Sequence, residues 1–177
     1  MKPSPEEFEK LALEHIDMVD RVARTLTHNP AEADDLVQET YLRALQARES
    51  FDLRSFGMRP WLLRILHNIH ITRSTREARQ PKAVEAEQLQ AYAGPDDAPA
   101  VSWQPSEELD KALDRLPVEL RTALTLWAVE ELSYQEIAEV VGVPIGTVMS
   151  RLHRARQRLR QDLHAIAARG HVSGNRR

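Results

Sequence analysis

Apolar residues recur at steps of three and four along nearly the whole chain, and alternating strand patterns are scarce. That period lays apolar side chains along one stripe of a helix, so the chain must fold as helices packed on helices. Ser4-Pro5-Glu6-Glu7 opens the first one, with Ser4 as N-cap, Pro5 at the first helical position and Glu7 closing a capping box. Phe8, Leu11, Ile16, Val19, Val22 and Leu26 continue it as a single stripe, and Asn29-Pro30 ends it and starts the next. The second helix, 32–46, places Ala33, Leu36, Val37, Tyr41 and Leu45 on one face. Residues 50–59 read as a loop. Pro60 then starts a third helix whose buried stripe is Trp61, Leu62, Ile65, Leu66 and Ile69. These three helices can close a small core.

From residue 80 to residue 105 the character changes. Pro81, Pro95, Pro99, Pro105 and Gly94 fall here, and the charges are Glu85, Glu87, Asp96 and Asp97 against Lys82. A helix over 83–92 is compatible with the pattern, but the second half reads as a linker. Fully extended, about 26 residues reach roughly 90 Å. Periodicity returns with Leu109, Ala112, Leu113 and Leu116, and Pro117 starts another helix carrying Leu120, Ala123, Leu124 and Trp127. Ser133-Tyr134-Gln135-Glu136 is a second capping box, Gly142-Val143-Pro144 a tight turn, and 145–167 a long basic helix. The expected fold is therefore all-α, with two small helical domains at 1–80 and 106–168. An acidic linker, 81–105, joins them, and a tail, 169–177, reads as disordered.

Composition removes several functions. Cysteine is absent, which excludes disulfides, thiolate metal sites and a cysteine nucleophile. No apolar run approaches the roughly 20 residues that cross a bilayer, and MKPSPEEFEK has no signal-peptide core. The expectation is a cytoplasmic protein with no membrane insertion. His67 and His70 have no evident third ligand, so no metal site is expected, and they read as polar-face residues near phosphates. There is no phosphate-cradling glycine loop, nucleophile elbow or carboxylate dyad, so the chain reads as a non-enzyme without a cofactor.

The most specific local signal is a helix-turn-helix over 133–154. That motif needs a small residue where two helices nearly touch, a glycine in the turn and a branched residue packing back. Ala138, Gly142 and Val148 fill these positions, and Ile137, Val141 and Leu152 supply further core. The outward face then carries Gly146, Thr147, Ser150, Arg151 and Arg154. From Arg151 through Arg154, Arg156 and Arg158 to Arg160, five arginines and no acid fall within ten residues. Side chains near the helix start can reach base edges, and the later arginines suit phosphates. A solvated face on an ordinary bundle is the plain alternative, but it does not explain why the turn and the basic face coincide.

Two further surfaces stand out. On the second helix, Asp35, Gln38, Glu39 and Leu42 share a stripe flanked by Asp34. Spacing alone favours a solvated acidic face over a docking face. Between 54 and 79, Arg54, Arg59, Arg64, Arg73, Arg76 and Arg79 face only Glu77, a balance of +5. Phe51, Phe56 and Trp61 are interleaved with them, a combination suited to single-stranded nucleic acid. Trp61 belongs to the core stripe; Phe51 and Phe56 are open between core and base stacking.

In order, these blocks resemble the bacterial RNA polymerase sigma factors of the extracytoplasmic-function group. The resemblance rests on the run from Ala33 through Asp34, Asp35, Leu36, Val37, Gln38 and Glu39 to Ala44, and on Pro60-Trp61-Leu62-Leu63-Arg64-Ile65-Leu66-His67-Asn68. In the second half it rests on Leu116-Pro117, Leu120-Arg121, residues 133–142, and the run from Gly146 to Arg156. It covers about residues 5–79 and 107–165. It implies that Asp34, Asp35, Gln38, Glu39 and Leu42 dock on the coiled coil of the polymerase's largest subunit. It implies minus-ten recognition and melting by Phe51, Arg54, Phe56, Arg59, Arg64, His67, Asn68, Arg73 and Arg76. It implies duplex reading at the minus-thirty-five element by Gly146, Thr147, Ser150, Arg151, Arg154, Arg156 and Arg158, with the polymerase flap as a further partner surface. Two departures stand: the 51–59 loop follows no fixed family pattern, and Met149 replaces a residue that is often basic.

The reading is a transcription initiation factor that binds core RNA polymerase and promoter DNA, duplex and single-stranded, with an anti-sigma factor as a further candidate partner. The alternatives are a dimeric helix-turn-helix regulator, and a sigma-like mimic that binds an anti-sigma factor. The acidic stripe and the aromatic loop oppose the first, and the arginine run opposes the second. The net charge of −3 fits the reading once resolved along the chain, because acids gather in the second helix and linker and arginines at 54–79 and 151–160.

Overall fold

The computed structural model describes residues 2–27, 29–52, 57–78 and 107–173. Among them every regular element is helical: α1 (Pro5–Leu13), α2 (Ile16–Thr27), α3 (Pro30–Gln46), a 3-10 turn (Arg48–Ser50), α4 (Met58–Ala78), α5 (Glu107–Asp114), α6 (Val118–Ala128), α7 (Tyr134–Val141) and α8 (Ile145–Ser173). The expected linker, Arg54 and Phe56 lie outside the described residues.

Ser4 caps α1 as the sequence implies: its hydroxyl accepts from Glu7 N–H while the Glu7 carboxylate accepts from Ser4 N–H at 2.8 Å. The single long first helix does not form. Glu14 and His15 turn the chain between α1 and α2, and Ile16 is exposed. The buried stripe does not pass through Ile16: it runs from Phe8 and Ala12 of α1 to Val19, Val22 and Leu26 of α2, across the turn. Asn29 caps α3, its side-chain oxygen accepting from Ala31 and Glu32 N–H.

On α3 the buried face is Ala33, Leu36, Thr40 and Ala44, one step round from the expected stripe, and Leu45 is exposed. Thr40 is tolerated there because its hydroxyl donates to the Leu36 carbonyl at 2.7 Å. α4 starts at Met58, two residues before the expected Pro60. Phe8, Phe51 and Trp61 form one aromatic cluster, with ring centroids 5.1–5.8 Å apart, that seals α1 and the loop against α4.

The second unit packs α5, α6 and α7 around α8. Leu109, Ala112, Leu113, Leu116, Leu120, Ala123, Leu124, Ile137, Val148, Leu152 and Ala155 are buried there. α8 runs to Ser173, so helix extends five residues into the stretch expected to be a disordered tail. The two units touch: α4 lies against α7 and also meets α6, and α2 meets α6. α4 is therefore covered on two sides, by α3 and by α7.

Candidate nucleic-acid and protein interfaces

The helix-turn-helix forms as expected. Ser133 caps α7 with Glu136 at N3, and Gly142 ends it in the left-handed conformation at φ 70° and ψ 35°. Glycine carries no Cβ to strain that backbone, and its N–H donates to the Ala138 carbonyl at 2.9 Å. Ala138 and Val148 are buried where α7 and α8 cross. On the outward face of α8, Gly146, His153 and Arg158 are exposed, while Thr147, Arg151 and Arg154 are half-buried. Arg156 leans back instead, its guanidinium 4.9 Å from the Trp127 ring centroid. Ser150 is 8% exposed and donates to the Thr147 carbonyl, so in this conformation it does not face solvent for a base contact.

The acidic stripe on α3 is a surface. Asp34, Asp35, Gln38 and Leu42 are exposed, Leu42 at 57%. Glu39 is half-buried between Arg43 of its own helix and Arg73 of α4. Burial opposes its charge, but these two cations outweigh it and hold the carboxyl below its ordinary range. Asp34 accepts from Arg24 at 3.0 Å.

The residues expected at the minus-ten element are split by the fold. Arg64, Asn68 and Arg76 are exposed on α4. Arg73 is engaged by Glu39. Phe51 corrects the sequence expectation: it has no exposed surface and packs between Phe8 and Trp61, so it is core and cannot stack on a base. His67 and His70 are a second correction, since both are buried, at 7% and 6% exposure, not on a polar face. They lie on the side of α4 that meets the second unit. Burial first, then the neighbouring His70 and Arg151, push His67 down to about 4. Burial first, then Arg121 and Arg73, push His70 down to about 4. Both imidazoles are therefore neutral at pH 7.

One feature escapes any sequence pattern. Glu130, just past α6, has a side chain only 2% exposed. Arg21 of α2 grips it with both arms of its fork, Nε to Oε1 at 2.8 Å and Nη2 to Oε2 at 3.1 Å. Arg59 at the start of α4 donates to the Glu130 backbone carbonyl and lies 3.4 Å from its carboxylate. The partners are 109 and 71 residues away, beyond the reach of local periodicity. Among the described residues no group of three or more acids and histidines could hold a metal ion, and no helix is long and apolar enough to cross a membrane.

This is the architecture of a helix-turn-helix transcription factor built from two helical domains. The family model for Sigma-70 region 2 matches residues 11–80, and that for Sigma-70 region 4 matches residues 106–159. The ECF RNA polymerase sigma factor SigW of Bacillus subtilis is 32% identical over 85% of this chain and 85% of its own length. The ECF RNA polymerase sigma factor SigE of Mycolicibacterium smegmatis is 36% identical over 88% of this chain, a match spanning 61% of that protein. Among solved structures, the sigma factor RpoE of Bartonella quintana, in complex with the anti-sigma factor NepR, superimposes with a TM-score of 0.68 at 28% identity. That match covers 90% of this chain and 98% of RpoE. CnrH, in complex with the cytosolic domain of CnrY, gives 0.63 at 25% identity, over 92% of this chain and 90% of CnrH. The chain belongs to the ECF group of RNA polymerase sigma factors.

Proposed function

We propose that this chain directs core RNA polymerase to a set of promoters and stabilises the melted strand, doing no chemistry of its own. The observation that carries this is the order of two surfaces on one chain: an exposed acidic stripe on α3, then a helix-turn-helix with a basic α8. Asp34, Asp35, Gln38, Glu39 and Leu42 dock on the coiled coil of the polymerase's largest subunit, meeting basic side chains with acids around one apolar anchor. Arg59, Arg64, Asn68, Arg73 and Arg76 serve the minus-ten element together with Arg54 and Phe56. Gly146, Thr147, Arg151, Arg154 and Arg158 read or position the minus-thirty-five duplex, and Ser150 and Arg156 join them only after rearrangement. The domains run from 1 to 80 and from 106 to 168, with 81–105 as the connection.

The site of action is where the polymerase works, the cytoplasm. The sigma factor RpoE of Bartonella quintana was solved bound to the anti-sigma factor NepR, which supports an anti-sigma factor as a partner here too. The test adds the purified chain to core polymerase and sequences the transcripts made from genomic fragments. Starts that share two elements at a fixed spacing support the reading; transcripts no different from core polymerase alone overturn it.

A further inference from the structure

The two units are held together at a point where chemistry, not shape, makes the bond. A carboxylate gripped by two guanidiniums is the protein counterpart of a backbone phosphodiester in the same place. Each is a delocalised anion offering two oxygens to fork-shaped donors. The cations of this clamp remain reachable from solvent, with side-chain exposures of 52% for Arg21 and 38% for Arg59, whereas the acid does not, at 2%. A competing anion can thus approach the arginines but not displace the acid from behind.

What the clamp covers matters as much. Where α4 meets the second unit, His67 and His70 are buried, and Arg151 of α8 lies close enough to His67 to oppose its protonation. Arg64 of α4 faces a shallow groove formed by Gln135, Glu139, Gly142 and Pro144 of the helix-turn-helix. In this arrangement α7 packs along α4, while Arg64 and the turn at Gly142 and Pro144 stay open to solvent. The contact between the units is not sealed throughout: a cleft of about 420 Å³ opens between Arg24 and Pro30 of the first unit and Leu109, Leu113, Leu124 and Val129 of the second. The closure therefore rests on the packing of α4 on α7 and of α2 on α6, with the Glu130 clamp beside it.

We propose that Arg21 and Arg59 form a binding site for a DNA backbone phosphate, and that Glu130 fills it in the free chain as an internal competitor, holding the two domains closed. Arg21 is an addition to the cations that the sequence singles out. The inference rests on the DNA-binding reading above. Opening rehydrates the Glu130 carboxylate and frees two guanidiniums together, so a phosphate arriving at the pair replaces the acid charge for charge. An ion pair of this kind need add little net stability and still fix which arrangement is populated.

The chain contains no cysteine, so a pair introduced at Gln46→Cys and Gln161→Cys, both exposed and outside the proposed interfaces, can be labelled cleanly. The label separation in the full chain reports closure without reference to DNA or polymerase. Glu130→Gln keeps the shape and removes the charge; Glu130→Arg reverses it. Both variants are expected to lengthen the separation while keeping native helicity. Both are expected to raise affinity for a duplex DNA oligonucleotide by about tenfold, as a closed population is released. In the Glu130→Gln background, Arg21→Ala is expected to reverse that rise and flatten the salt dependence by about 0.9 on a log–log plot. An unchanged separation in both Glu130 variants overturns the latch. A lengthened separation with no change in DNA affinity on Arg21→Ala overturns the phosphate site. Loss of promoter-specific starts with core polymerase would instead overturn the sigma reading, and the label separation is independent of that result.

Discussion

Arg73 of α4 donates to Glu39 of α3, joining a residue proposed for promoter DNA to one proposed for polymerase docking. Glu39 also accepts from Arg43 at 2.5 Å, so it braces the α3–α4 packing as well as lying in the stripe. Replacing Glu39 would confuse docking with folding. Asp35 is the cleaner probe, because it is exposed on the same face. Asp35→Arg is expected to abolish co-purification with core polymerase while shifting stability by no more than about 0.5 kcal/mol, the usual range for surface substitutions. Retained co-purification would remove the docking assignment.

Phe51 makes a sharp contrast between two roles. As core, wedged between Phe8 and Trp61, its truncation leaves a cavity. Phe51→Ala is expected to cost about 3–5 kcal/mol in urea unfolding. A base-stacking residue would instead leave stability nearly intact and weaken promoter opening. A loss below about 1 kcal/mol would return Phe51 to the nucleic-acid face.

The elements legible in the sequence were those with local causes. Capping boxes at Ser4 and Ser133, the Asn29-Pro30 boundary and the Ala138–Gly142–Val148 triad each depend on a few neighbouring residues, and each forms. The break after α1 was not legible, because the buried Ala12 and Val19 lie seven residues apart and keep one helical phase across it. Phe51 and the pair His67 and His70 were not legible, because their burial depends on what packs over them. A helical stripe reports one buried face, and α4 has two, since the second unit lies on the side away from α3. The Glu130 clamp joins residues 109 apart, so no window along the chain could contain it. The acidic stripe on α3 was visible as a pattern, but only its exposure turns a pattern into a surface.

His67 and His70 give the closed arrangement a pH dependence with a definite sign. Burial holds both down to about 4, against an ordinary value of 6.5. The charged groups that act on them are cations, Arg151 on His67 and Arg121 and Arg73 on His70, and they oppose a proton there. An opened or unfolded chain takes up protons first as pH falls. The contribution to stability, several kcal/mol for the pair, is therefore complete above about pH 6.5 and disappears between there and about pH 4. Between about pH 7 and about pH 5 the separation between labels at 46 and 161 is expected to lengthen and the melting temperature to fall. The double variant His67→Gln, His70→Gln should flatten both trends. An equally steep decline in that variant would assign the effect elsewhere.

Arg151 and Arg154 separate reading from closure. Both lie on the outward side of α8, but Arg151 also faces His67 across the seam, while Arg154 turns its Nε toward the Ser150 carbonyl at 3.4 Å. Each replaced by alanine is expected to weaken binding to a minus-thirty-five duplex and to reduce the log–log salt slope by about 0.9 for each phosphate that is no longer neutralised. Their effects on closure should differ. Arg151→Ala removes a cation that opposes protonation of His67, so the closed form tolerates the proton better and the pH at which the domains separate should fall. Arg154→Ala should leave that pH where it is. Unchanged salt slopes in both variants would take these arginines off the DNA. A common shift in the separation pH would show that both sit in the seam, and that α8 reaches duplex DNA only after the two domains part.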